Sequence, residues 1–98
     1  MDAKEIIRKE YGRRRNFMTS YITSYGKIRG ENHKGFSEIA YEISSGKSFS
    51  GGPLYGLSVV SYDPETGETK RERDLSTCFR SLKLLNKYIV ELQEKMKK

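Results

Sequence analysis

The sequence predicts an α+β fold: a short N-terminal helix, an antiparallel meander sheet of three to four strands, and a C-terminal amphipathic helix packed on one sheet face. Three observations predict it. Phe79, Leu82, Leu85, Ile89, Leu92 and Met96 recur at spacings of three and four residues, the period of one helical face. Ile39, Tyr41 and Ile43 alternate with Glu38, Ala40 and Glu42, the period of a strand. Between two strand-like runs lies Asp63-Pro64-Glu65-Thr66-Gly67, in which proline presets the φ of a type I turn and glycine can take the positive φ that closes a hairpin. At 98 residues the chain is expected to form one domain, 1–98, around a modest core.

Taken in order, Ala3 to Tyr11 reads as a helix with Asp2 as its N-cap, Glu5 in the first turn, and Ile6, Ile7 and Tyr11 as its apolar edge; Gly12 should end it. After Arg13-Arg14-Arg15, residues Asn16 to Tyr25 read as a strand, with Phe17, Thr19, Tyr21, Thr23 and Tyr25 on one face. Gly26 to Gly35 is glycine-rich, polar and basic, and is expected to be a loop. Phe36 to Ser44 is the next strand, with Ile39, Tyr41 and Ile43 inward and Glu38, Ala40 and Glu42 outward. Ser44 to Pro53, with three glycines and four serines, is a second loop. Leu54 to Tyr62 is rich in β-branched and aromatic residues and reads as a strand with Tyr55, Leu57 and Val59 on one face and Leu54, Val60 and Tyr62 on the other. Beyond the turn, Glu68 to Asp74 is expected to return as one exposed strand, Lys70 and Glu72 on one face, Arg71 and Arg73 on the other. The C-terminal helix is capped by Ser81 or, one turn earlier, by Ser76. A two-stranded hairpin is marginal alone, so the helix must cover a larger sheet.

Composition limits the function. Lys and Arg total 19 against 13 Asp and Glu, a net charge of +6. No run approaches the roughly 20 apolar residues of a membrane span, and the N-terminus has no signal-peptide core, so the expectation is a cytoplasmic protein without a membrane partner. A single Cys78 excludes an internal disulfide, and one cysteine with one histidine leaves too few soft ligands for zinc. No cofactor is expected. One glutamine, three asparagines and abundant Lys, Arg, Glu and Tyr form a bias found in thermophilic proteins.

No catalytic signature emerges. Gly46-Lys47-Ser48 lacks the earlier glycine of a phosphate loop and precedes more loop rather than a helix. His33, in a predicted loop, reads as a solvated side chain, Cys78 as a small buried thiol, and Asp63 with Glu65 as turn formers rather than an acid/base pair. A non-catalytic protein is expected.

Charge divides unevenly along the chain. Residues 1–34 carry +5, residues 35–69 carry −4, and residues 70–98 carry +5. Arg13, Arg14 and Arg15 form the densest cluster, Lys27, Arg29 and Lys34 decorate the first predicted loop, and Lys70, Arg71 and Arg73 line the exposed strand. Guanidinium groups bind phosphates through two parallel hydrogen bonds, so this pattern points to nucleic acid, DNA before RNA, held mainly by its phosphates. Tyr21 and Tyr25 could stack on bases if exposed. The bland reading is a solvated, salt-bridged surface with the tyrosines in the core. The alternative function is a protein-interaction or homodimeric module joined by edge pairing of the Phe17 to Tyr25 strand. A sheet closed by a C-terminal helix is similar in architecture to small DNA-binding domains, such as the arm-binding domains of some recombinases, whose sheet enters the major groove. The helix-flanked sheet also resembles the order of double-stranded-RNA-binding domains, but Ser81-Leu-Lys-Leu-Leu85 does not reproduce their lysine-rich second-helix start. Both likenesses concern architecture alone.

Overall fold

The computed structural model describes residues 2–11, 21–30, 35–47 and 50–96. Helix α1 (Ala3–Tyr11) is followed by strands β1 (Tyr21–Arg29), β2 (Glu38–Lys47), β3 (Pro53–Tyr62), β4 (Thr69–Arg71) and β5 (Thr77–Phe79), and then by helix α2 (Leu82–Met96). The sheet is an antiparallel meander in the order β1-β2-β3, with β4 and β5 sharing the far side of β3. Thus α1 and the meander form as expected, and α2 packs across one face.

Local chemistry accounts for the element ends. The Asp2 carboxylate accepts from the Glu5 amide at 2.8 Å and caps α1. Ser81 Oγ accepts from the Leu84 amide at 3.2 Å, while the Ser81 carbonyl takes the first helical bond, from Leu85. Ser81, not Ser76, is therefore the cap of α2, and Phe79 belongs to β5 instead of the helix. In the β3–β4 turn, Asp63 Oδ1 accepts from the amides of Glu65 and Thr66, and Gly67 closes the turn at φ 78°.

The expected strand from Glu68 to Asp74 is corrected to the shorter β4, followed by a turn, with β5 lying beyond the expected range. The reason is Ser76. Its Oγ accepts from the Val59 amide at 3.0 Å and donates to the Glu72 carbonyl at 2.9 Å, while the Glu72 amide donates to the Val59 carbonyl. The turn thereby takes over both backbone groups of Val59, which would otherwise sit unpaired between β4 and β5. β4 then pairs with Val60 to Tyr62, and β5 with Tyr55 to Leu57.

The loop expected to begin at Gly26 is also corrected. Residues 26–29 continue β1, where Gly26 stands opposite Tyr41. A Cβ on Gly26 would lie 2.3 Å from the Tyr41 ring, so the glycine is the space that the ring fills. A register shift between Ile22 and Ser24 interrupts the alternation predicted along this strand. The expected strand residues 16–20 lie outside the described residues.

Two cores sit on opposite sides of the sheet. Beneath α2, Leu85, Ile89 and Leu92 bury against Ile28, Ile39, Ile43, Leu57 and Val59. Beneath α1, Ala3, Ile6 and Ile7 bury against Ala40, Val60 and Tyr62. The small Ala40 lets α1 approach closely, and Ile6 and Ile7 retain 0% and 1% exposure. Glu38, Ala40 and Glu42, predicted to face solvent, are all buried on this second face. The prediction assumed a sheet covered on one face, whereas α1 covers the other. Burial of two carboxylates there requires partners: Glu38 has cations that the sequence had assigned elsewhere, and Glu42 has the Tyr25 hydroxyl.

Candidate nucleic-acid interface

The first of those cations lie on β1. Glu38 pairs with Arg29 at 3.3 Å and with Lys27 at 3.8 Å, and Lys27 also sits 5.3 Å above the Tyr62 ring. The Glu38 side chain is 9% exposed and that of Arg29 73%, so the guanidinium reaches water while neutralising a sequestered carboxylate. Tyr25 packs against the core beneath α1 and shares its hydroxyl with Glu42 and Arg8. Burial, reinforced by the Glu42 charge and hydrogen bond, pushes the Tyr25 pKa above its ordinary value, and Arg8 opposes the shift.

Arg71 is similarly engaged. Its Nε donates to the Glu10 carbonyl at 2.9 Å, its Nη2 donates to the same oxygen, and the guanidinium lies 5.1 Å from the Tyr11 ring centre. Together with Lys9 to the Gly67 carbonyl and Thr69 to Glu10, these contacts fasten α1 to the β3–β4 hairpin. Lys27, Arg29 and Arg71 thus have structural partners.

Other cations are less constrained. Lys70, Arg73, Arg80, Lys83 and Lys87 are exposed, and none is within ion-pair distance of a carboxylate among the described residues. All five belong to one stretch of chain folded along one edge. β4 and β5 occupy the same side of β3, the turn carrying Arg73 lies between them, and Arg80 leads directly into α2. The Tyr88 hydroxyl donates to the Leu75 carbonyl at 2.8 Å, which ties the second turn of α2 to that turn. Residues 70–87 hold six Lys and Arg against Glu72 and Asp74, a local charge of +4. Of the two acids, Glu72 is turned toward the sheet, accepting from Ser61 Oγ at 2.8 Å. Asp74 is the exposed one.

The N-terminal half of helix α2 carries its charges against the helix dipole, whereas Lys95 in the last turn follows it. No acid occupies the first turn, where the helix end is positive and acids are stabilising. Instead Arg80 precedes the helix, Lys83 and Lys87 occupy its N-terminal half at the repulsive i,i+4 spacing, and Glu91 and Glu94 lie in its C-terminal half. Folding alone favours the reverse order. The orphan amides of the first turn and the lysines therefore add to one positive potential at the same place.

Arg13, Arg14, Arg15 and Lys34, predicted as contacts, lie outside the described residues, as does His33; Tyr21 lies in β1. Sequence reasoning missed Arg80, Lys83 and Lys87. The signal available was the absence of acid from the first turn. Cys78, expected buried, is exposed, because β5 is a short edge strand whose Cys78 stands opposite Gly56. With Ser44, Gly46 and Ser58 it lines an open cleft of about 390 Å³ on the half of the sheet that α1 leaves bare. Among the described residues no group of three or more His, Cys, Asp or Glu is placed to hold a metal, and no helix is long and apolar enough to cross a membrane. Compared with protein-family models, curated proteins and solved structures, the chain has no match.

Proposed function

We propose that this protein is a non-catalytic nucleic-acid-binding protein that holds its ligand by phosphates along the β4–β5 edge and the start of α2. The supporting observation is the set of five exposed cations, Lys70, Arg73, Arg80, Lys83 and Lys87, gathered on one edge without acidic partners among the described residues. Asp74 is the exposed acid among them, and the first turn of α2 lacks the acid that an ordinary stabilised helix would carry. Arg13, Arg14 and Arg15 are a second contribution, made through sequence alone, and Lys27, Arg29 and Arg71 serve chiefly to hold α1 and the buried carboxylates.

The competing proposal is self-association. β1 is terminal in the strand order, which offers an edge for pairing. Its register shift disfavours a flat, continuous pairing surface. Of the exposed apolar residues of α2, Leu84 lies about 160° from Leu82 and about 120° from Val90 around the helix, so the three do not form one apolar stripe. Phosphate binding is the better supported reading.

Fluorescence-anisotropy titration of labelled DNA and RNA across salt concentrations tests it. Log affinity should fall linearly with log salt at about −0.9 per phosphate on duplex, so five contacts give a slope of about −4.5, steeper if the arginine triplet also engages. Absence of binding at low salt would reduce the positive edge to a solubility feature.

A further inference from the structure

We infer that the ligand of this edge is a nucleic-acid duplex, recognised as a fixed array of phosphates without stacking on unpaired bases. The inference rests on the phosphate-binding reading above. Recognition of single strands needs aromatic faces beside the cations, because stacking supplies much of the affinity and orders the flexible chain.

The rings nearest this edge are committed elsewhere. Phe79 and Tyr88 lie against each other, with centroids 5.3 Å apart, and both pack on the core beneath α2. Tyr88 also spends its hydroxyl on Leu75, and Tyr55 joins the same core. Tyr11 lies beside the Arg71 guanidinium, and its hydroxyl donates to the Val59 carbonyl at 3.3 Å. Among the rings whose side chains are described, Phe36 is exposed, at 42%. It adjoins Ser37, whose carbonyl accepts from the Gly30 amide at 2.8 Å. Gly30 in turn lies beside Met96, at the opposite end of α2 from Arg80 and Lys83. Among the described side chains, aromatic and cationic surfaces are therefore separated.

The cations are carried on elements whose backbones are fixed. Lys70 is on a paired strand, Arg73 in a turn locked by Ser76, and Lys83 and Lys87 one turn apart on a helix tied to that turn. A rigid set of charges suits a rigid array of phosphates, which a duplex presents and a flexible single strand does not.

The test compares duplex DNA, duplex RNA, oligothymidine and oligouridine of equal length across a series of salt concentrations, using the whole protein and a Phe36→Ala variant. Duplex of either sugar should bind about ten-fold or more tightly than the single strands, with a salt slope near −0.9 per contact, and Phe36→Ala should change neither. Single strands bound as tightly as duplexes, or single-strand affinity lost in Phe36→Ala, would overturn the inference while leaving phosphate binding intact. Failure of all four ligands at low salt would overturn both.

Discussion

At the scale of single residues, Tyr25 and Tyr88 show how burial sets chemistry. Both have pKa values raised from the ordinary 10.0, chiefly by burial, with the negative charges of Glu42 and Glu91 adding to the respective shifts. In the unfolded chain each would lose its proton first. Their contribution to stability is therefore complete below about pH 10 and is lost as pH rises through the higher folded values. Unfolding by denaturant at a series of alkaline pH values should show stability falling above pH 10, and less steeply when Tyr25 and Tyr88 are both replaced by Phe. Equal slopes in the two proteins would show that these hydroxyls ionise alike folded and unfolded. The sequence placed neither shift, because the partners Glu42 and Arg8 meet Tyr25 only after α1 covers a face that alternation marked as solvent-exposed.

At the scale of elements, period and capping chemistry made most of the fold legible. Asp2, Ser81 and the Asp63 to Gly67 turn act as their residue types predict, because each bond spans only a few residues. The misreadings arise where a distant partner overrides a local rule. Gly26 is a breaker by propensity yet sits inside β1, because the Tyr41 ring from the neighbouring strand covers it. Ser76 was a plausible helix cap, and instead its hydroxyl bridges Val59 and Glu72 from seventeen and four residues away. Ser76→Ala should leave the Val59 amide unsatisfied and cost about 1–3 kcal/mol, measured by denaturant unfolding. A loss of only a few tenths would mean that β4 and β5 are separated by the turn geometry without help from the hydroxyl.

At the scale of the whole molecule, two helices on opposite faces set apart two groups among the described cations. Those beneath and beside α1 neutralise buried carboxylates or hold the helix, and those along the β4–β5 edge remain turned to water. The candidate site was only partly readable for this reason. Lys70 and Arg73 were found as alternating charges, whereas Lys27 and Arg29 looked equally available until Glu38 proved to be buried beside them. Arg80, Lys83 and Lys87 were hidden in a helical pattern whose charge order, reversed against its dipole, has meaning only once the adjoining strand edge is known.

The most direct test is to measure folding and binding together in the Lys83→Glu, Lys87→Gln double variant, which removes both cations without placing two like charges one turn apart. If the lysines are there for phosphates, relief of their repulsion and of the dipole mismatch should hold or raise the unfolding free energy, by about 0.3–1 kcal/mol. Duplex affinity should fall, with the salt slope shallower by about two units. Unchanged affinity and slope, or a loss of folded stability, would contradict the account, because the lysines would then be serving the fold.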